Sequence, residues 1–265
     1  MTETCKACHD PLVLTLDPDD SGDEGQTVPD DLHLPCGCHF HWQCLIDQSS
    51  SILSSSLLCP SCHNPLSATP FSAGGSSSSS SAPPNPLTTP PVPILTTYTN
   101  EGGVQPSLDI YPTLLEESYL SSHPEARPAR AFHTLASEGE IQGMVELLSD
   151  IDADEDVDMT ANQLLIWRDP LNGGRGALHV ALEARQEEAV WLLLWLGSGA
   201  AREDFPEAVV QVAQAMGLPR RTENGGIPVG EDVRFVKDEK GRTAADVCLE
   251  LGAPWTRLVE GGVFS

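Results

Sequence analysis

Seven cysteines between positions 5 and 62, together with His41, are the residues of this sequence best placed to do chemistry. They fall in ordered pairs: Cys5 and Cys8, Cys36 and Cys38, His41 and Cys44, Cys59 and Cys62. Gaps this short let both ligand atoms of a pair reach one ion. Tetrahedral zinc takes four such ligands, thiolate or imidazole, so eight ligands predict two zinc ions. One isolated pair would be a weak signal, and four ordered pairs in one short segment are a strong one. Each site then counts four protein ligands and keeps no position for a reactive water, so both are structural.

The rest of the chain offers no competing chemistry. There is no plausible Ser-His-Asp set and no P-loop. Gly173, Gly174 and Gly176 read as a hairpin turn, because no helix N-terminus with a lysine follows them. Asp17, Asp19, Ser21 and Gly22 imitate the start of a calcium loop, but Val28 stands where a bidentate Glu is required. Asp152, Asp154, Asp156 and Asp158 alternate without a glycine or a terminal Glu, so they read as solvated. His9, His33 and His63 are expected at the surface or beside ligands. Cys248, Trp191 and Trp195 are expected in a core.

The elements that must position these residues follow from composition. The chain has 265 residues and a formal charge of −25, from 39 acids against 14 bases. Such acidity repels phosphate backbones and disfavours nucleic acid as a partner. The longest apolar run, Ala189 to Leu196, is far short of the ~18 residues that span a bilayer, so no membrane partner is expected. The N-terminus lacks the basic-then-apolar layout of a signal peptide, and clustered cysteines in a reducing compartment bind metal. A cytoplasmic or nuclear protein is expected.

Three segments are expected. Residues 1–66 hold the cysteine cluster and a single base, Lys6. Residues 67–124 are rich in Ser and Pro, hold no Lys or Arg, and read as a disordered linker. Within it, Leu108 to Leu120 is less polar, with Pro112 placed like the first residue of a helix, and reads as a docking motif or a segment resting on the next domain. Residues 125–265 show helical periodicity. The large apolar residues of the first segment are few: Leu12, Val13, Leu14, Leu34, Phe40, Trp42, Leu45 and Ile46. That core is too small to stand alone, whereas structural zinc supplies on the order of 10 kcal/mol per site. A β-hairpin around Leu12 to Leu16 and a helix from about His41 to Ser49 are expected.

The spacing resembles the RING finger family, through Leu34-Pro35-Cys36-Gly37 and Phe40-His41-x-x-Cys44-Leu45. The resemblance implies a small, cross-braced α+β finger in which alternate pairs share an ion. Site one is then Cys5, Cys8, His41 and Cys44, and site two is Cys36, Cys38, Cys59 and Cys62. His39 is the alternative to Cys38. The family pattern favours Cys38, which occupies the place where the common form has its histidine.

A second resemblance covers residues 125–265. Gly176-Ala177-Leu178-His179-x-Ala181, closed by Gly199-Ala200, is similar to an ankyrin repeat. Asp238-x-x-Gly241-Arg242-Thr243-Ala244-Ala245-Asp246 is a second match, with Asp246 in place of the histidine. Ala131-Phe132-His133-x-Leu135-Ala136-x-x-Gly139 is a third. The distance from His179 to Asp246 is close to two repeats, so a diverged unit is expected at Pro206 to Gly217. Four units in an all-α solenoid follow, with His133 and His179 hydrogen-bonding between neighbours.

Together the resemblances imply a RING-type ubiquitin-protein ligase acting without a covalent intermediate. It would dock a ubiquitin-conjugating enzyme through the finger and a protein substrate through the repeats. Pro60 matches the family's Cys-Pro-x-Cys. Ala7 stands where active fingers often carry Ile or Leu against the conjugating enzyme, and His63 where many carry an Arg or Lys that clamps ubiquitin. The alternative is a non-catalytic zinc-binding scaffold or adaptor.

Overall fold

The computed structural model describes residues 3–15, 27–67, 93–153, 159–218, 220 and 231–264. The calcium-like loop from Asp17 to Gly22, the run Ser76 to Ser81, and Asp154, Asp156 and Asp158 lie outside them. The described chain is mixed α/β, with two small sheets and eleven α-helices. It divides into two compact units, Met1–His123 and Pro124–Ser265.

In the first unit, β1 (Val13–Thr15) and β2 (Thr27–Pro29) pair antiparallel, Leu14 opposite Val28. A four-stranded antiparallel sheet runs in the order β4-β3-β5-β6. Its strands are β3 (Asp31–His33), β4 (His39–Phe40), β5 (Leu95–Asn100) and β6 (Gly103–Asp109). Three helices complete the unit: α1 (Trp42–Ile46), α2 (Ser49–Ser54) and α3 (Tyr111–Ser122). The single helix expected over His41 to Ser49 is thus two, separated at Asp47 and Gln48.

The expected linker does not hold over residues 93–123. Thr96, Thr97, Tyr98 and Thr99 are strand formers, and β5 pairs with β3, Leu32 opposite Tyr98. Asp109 then starts α3: its Oδ1 accepts the N–H groups of Tyr111 (3.0 Å) and Ile94 (2.9 Å). Pro112 lies in the first turn, as its placement predicts. Ile94, Ile110 and Leu114 are fully buried beside Leu32, Leu34, Phe40 and Leu45. By contrast Val13 and Leu14, expected in the core, are exposed.

The second unit is helical. Helices α4 (Arg127–Glu138) and α5 (Ile141–Ala153) form a hairpin turned at Gly139, whose φ of 77° is in the left-handed region. α6 (Ala161–Ile166) packs against α4, α5 and α8. α7 (Ala177–Glu183) and α8 (Glu187–Gly197) form the second hairpin, and α10 (Ala244–Leu251) with α11 (Thr256–Glu260) the third. α4 packs on α7, and α7 on α10. The segment from Asp169 to Arg175 is closed by a β-bridge, with Gly173 and Gly174 both at positive φ, which makes it the expected turn.

At Pro206 to Gly217, where a diverged unit is expected, the described residues form a single helix and no helix pair. α9 (Glu207–Ala215) packs on α8, outside the stack, and α10 meets α7 directly. Asp246 also has a local explanation. Its Oδ2 accepts the Thr243 N–H at 2.8 Å while the Thr243 hydroxyl caps the helix in return. His179 makes the equivalent contact at α7, where Nδ1 accepts the Gly176 N–H at 3.4 Å, and its Nε2 lies 3.0 Å from the Arg242 carbonyl of the next turn. His133 makes no such bond. Its ring meets Trp167 edge-on, 5.1 Å between centroids. Cys248 is fully buried and its thiol is pushed up to about 12 by burial.

Burial drives His133 down from the ordinary 6.5 to about 3, with the nearby Arg130 charge adding to it. Above 6.5 both folded and unfolded forms are neutral and the full stability is present. As pH falls from 6.5 toward 3 the unfolded chain takes up a proton that the folded state resists, and stability is lost. Thermal melts followed by far-UV circular dichroism should therefore show the second unit's transition falling across this window. His133→Leu should flatten the fall.

Candidate metal centres

Three of the four ligand pairs sit in turns closed by strand-like contacts. Around Cys5 and Cys8 a bridge joins Thr4 to Pro11, the Cys5 N–H donates to the Asp10 carbonyl (3.0 Å), and the His9 N–H to the Cys5 carbonyl (3.0 Å). Around Cys59 and Cys62 the pattern repeats: Leu58 bridges Pro65, the Cys59 N–H meets the Asn64 carbonyl (2.9 Å), and the His63 N–H the Cys59 carbonyl (2.9 Å). His9 and His63 both lie at positive φ, 69° and 57°. The sequences repeat as well, Cys-x-x-Cys-His-Asp-Pro-Leu from Cys5 and Cys-x-x-Cys-His-Asn-Pro-Leu from Cys59. Both loops end by burying a leucine, Leu12 or Leu66.

The pair Cys36 and Cys38 occupies the β3–β4 turn, where the Leu34 N–H donates to the Cys38 carbonyl at 2.9 Å. Gly37, at φ 85°, supplies the left-handed residue. The last pair needs no turn. His41 precedes α1 as its N-cap and Cys44 follows three residues later, on the same face.

Alternate pairs converge. Cys5, Cys8, His41 and Cys44 bring four ligand atoms within 4.8 Å of one another, and so do Cys36, Cys38, Cys59 and Cys62. In the first group His41 Nδ1 lies 3.3 Å from Cys8 Sγ and 3.8 Å from Cys44 Sγ. Its Nε2 lies 2.9 Å from the Pro11 carbonyl. A carbonyl can only accept, so Nε2 carries the proton and the Nδ1 lone pair faces the sulfurs, as a metal ligand requires. Cys5 Sγ accepts the N–H groups of Ala7 and His41, each at 3.4 Å.

The thiols also show the strain of their own proximity. Burial works against ionising Cys5, but N–H groups of Cys8, His41 and Ala7 outweigh it and bring the thiol to about 7. Cys44 is pushed up to about 12 by burial and by the charge of Cys5. In the second group the Asn64 N–H lowers Cys62 to about 7, while burial and the neighbours Cys59 and Cys62 raise Cys36. Each group thus holds one readily formed thiolate and neighbours that resist a second negative charge. A bound divalent cation removes that conflict. The donor sets, three sulfurs with one imidazole nitrogen and four sulfurs, fit zinc, and each group could hold one ion.

His39 is turned away from both groups. Its Nδ1 lies 2.8 Å from Asp31 Oδ1 and its Nε2 3.1 Å from Glu3 Oε2, with the ring stacked on His33 at 4.4 Å. Cys38 is therefore the member of the second group. Glu3, Asp31 and His39 are also close together. The two carboxylates meet opposite nitrogens of one ring. Ala7 and His63 are exposed and Pro60 is half-buried.

Asp30 is the functional residue that sequence reasoning missed. It is buried, and its Oδ1 accepts the Trp42 N–H (3.2 Å) and the Tyr98 hydroxyl (2.9 Å). It thereby fixes the start of α1, which carries His41 and Cys44, to strand β5. Burial and then the Asp30 hydrogen bond push the Tyr98 hydroxyl up to about 12. The partner lies 68 positions away, so no local signal marks Asp30. The repeated Cys-x-x-Cys-His motif, in contrast, is visible to a comparison of the chain with itself.

The fold and site thus define a protein with two cysteine-rich tetrads suited to zinc. No family model, no curated protein and no solved structure gives a significant match to this chain. Among the described residues no helix is long and apolar enough to cross a membrane.

Native mass spectrometry should find two zinc ions on the chain, two on His39→Ala and one on Cys38→Ser. The reverse pattern for the last two variants would transfer the ligand to His39. Asp30→Ala leaves the Tyr98 hydroxyl and Trp42 N–H without their acceptor and should destabilise the first unit by roughly 1–3 kcal/mol. Chelator competition should then release zinc faster from the first tetrad than from the second.

Proposed function

We propose that this chain is a RING-type ubiquitin-protein ligase holding two zinc ions. The observation that carries the reading is the convergence of alternate ligand pairs, first with third and second with fourth. That braided order is what a RING finger has and what a string of independent zinc knuckles lacks. On this reading Ala7, Pro60 and His63 lie on the face that docks a ubiquitin-conjugating enzyme. The acidity of residues 1–66, with Lys6 their only base, suits a basic docking helix. The thiols are engaged as ligands, so transfer proceeds from the docked enzyme without a covalent intermediate on this chain. Reduced thiols accord with work in the cytoplasm or nucleus.

The second unit is read as an ankyrin-type substrate arm. Support comes from three hairpins whose first helices pack in series, and from His179 reaching the Arg242 carbonyl of the next turn. A second reading, a zinc-binding scaffold without ligase activity, is favoured by two specific residues. Ala7 and His63 both lack the side chains that active fingers often use, and residues 1–66 contain no Arg.

Discharge of ubiquitin from a panel of loaded conjugating enzymes to free lysine separates the two readings. A ligase accelerates discharge by at least one enzyme, Cys44→Ser abolishes the acceleration, and His63→Arg increases it. No acceleration across the panel, from protein that retains both zinc ions, leaves the scaffold.

A further inference from the structure

Outside the tetrads, the second unit carries an apolar groove that its own stack does not use. α9 leans on α8, and the two helices leave a cavity of about 260 Å³ between them, reached also by Ile141 at the start of α5. Trp191, Trp195, Val209, Val212 and Met216 supply most of its wall. α9 turns Val210 and Ala213 inward, to the core. It leaves Val212 and Met216 exposed, at 56% and 37%, on one stripe at helical spacing. An exposed apolar stripe continuous with an apolar cavity marks an interaction surface. The cavity is smaller than the roughly 300–1,000 Å³ of a small-molecule pocket, and its shape follows two helices.

The charged side chains among its described lining residues are acidic. Glu188 is the charged residue in the groove wall. A more polar shelf continues from it, sharing Trp191 and Val209, and there the charged residues are Glu187 and Glu188. Both are exposed, and among the described residues that line the two surfaces there is no Lys or Arg, the Arg220 guanidinium lying buried 5.1 Å over the Trp195 ring. A second copy of a chain of net charge −25 is a poor occupant, because like charges oppose its approach.

We infer that the α8–α9 groove docks an amphipathic helix of a partner protein, with apolar residues at helical spacing entering the groove and Lys or Arg lying over Glu187 and Glu188. This is helix-in-groove recognition with an electrostatic end-stop that sets the orientation. It rests on the packing of the second unit alone and stands or falls separately from the ligase reading.

Fluorescence polarisation on the full chain tests it. The probe is a labelled 18-residue peptide with leucines along one helical face and lysines at one end. Its twin carries glutamates in place of the lysines. The lysine peptide should bind and the glutamate twin should not. Val212→Asp with Met216→Asp, both at exposed positions, should weaken binding at least tenfold with an unchanged circular dichroism spectrum. Glu187→Lys with Glu188→Lys should reverse the preference between the peptides. Three results overturn the proposal: no binding of the lysine peptide, equal binding of both peptides, or binding indifferent to Val212→Asp with Met216→Asp. Concentration-dependent dimerisation in sedimentation, lost in that apolar double variant, also overturns it by placing a second copy in the groove.

Discussion

Four cysteine sulfurs, or three with an imidazole, cannot share a space 4.8 Å across as free thiolates. Each new negative charge raises the cost of the next: burial first, and then the charge of Cys5, raise the Cys44 thiol, while backbone N–H groups lower Cys5. A divalent cation turns the same crowding into attraction. Three pairs are delivered by turns closed with β-bridges or a hairpin, and the fourth by the start of α1. Because alternate pairs meet, an ion in each group would link parts of the chain that are distant in sequence, and its ligand bonds would replace much of what a larger apolar core would supply.

The ligands do not act alone. His41 is oriented by the Pro11 carbonyl, a residue of the first loop, so the loop that supplies Cys5 and Cys8 also sets the tautomer of the opposing histidine. Asp30 ties the same helix to β5. Residues 93–123 therefore belong to the unit that carries the tetrads, in its sheet, its core and its hydrogen bonds. A segment average hides this, because the Ser- and Pro-rich stretch before it dilutes the strand-forming threonines and Tyr98. The local pattern Leu95 to Asn100, bounded by Pro93 and by the Glu101–Gly102 turn, carries the strand signal when read by itself. Pro112 does mark its helix correctly.

The members of the two tetrads were legible at the level of single residues, since donor type and spacing are chemical requirements that few other constraints imitate. His39 against Cys38 was harder, as neighbours on a turn point in opposite directions and only the register of β3 with β4 decides which faces the tetrad. In the second unit the hairpins around His133, His179 and Asp246 followed from helical periodicity. Their count did not. The 67 positions from His179 to Asp246 match two repeats by length, yet α10 packs directly on α7. Length alone cannot fix the number of layers in a stack. The exposed Val212 and Met216 on α9 show that this segment has an outward apolar face, which a fully enclosed layer would lack.

The central claim is that two chemically different tetrads, one with three sulfurs and a nitrogen and one with four sulfurs, each hold a metal ion. Cadmium-113 magnetic resonance of the metal-exchanged protein reads donor sets directly, because the shift moves downfield with each added sulfur. Two resonances are predicted, the four-sulfur site downfield of the other. Cys44→Ser should remove or move the upfield one and leave the downfield one in place. A single resonance, or two resonances of one donor type, would contradict the account.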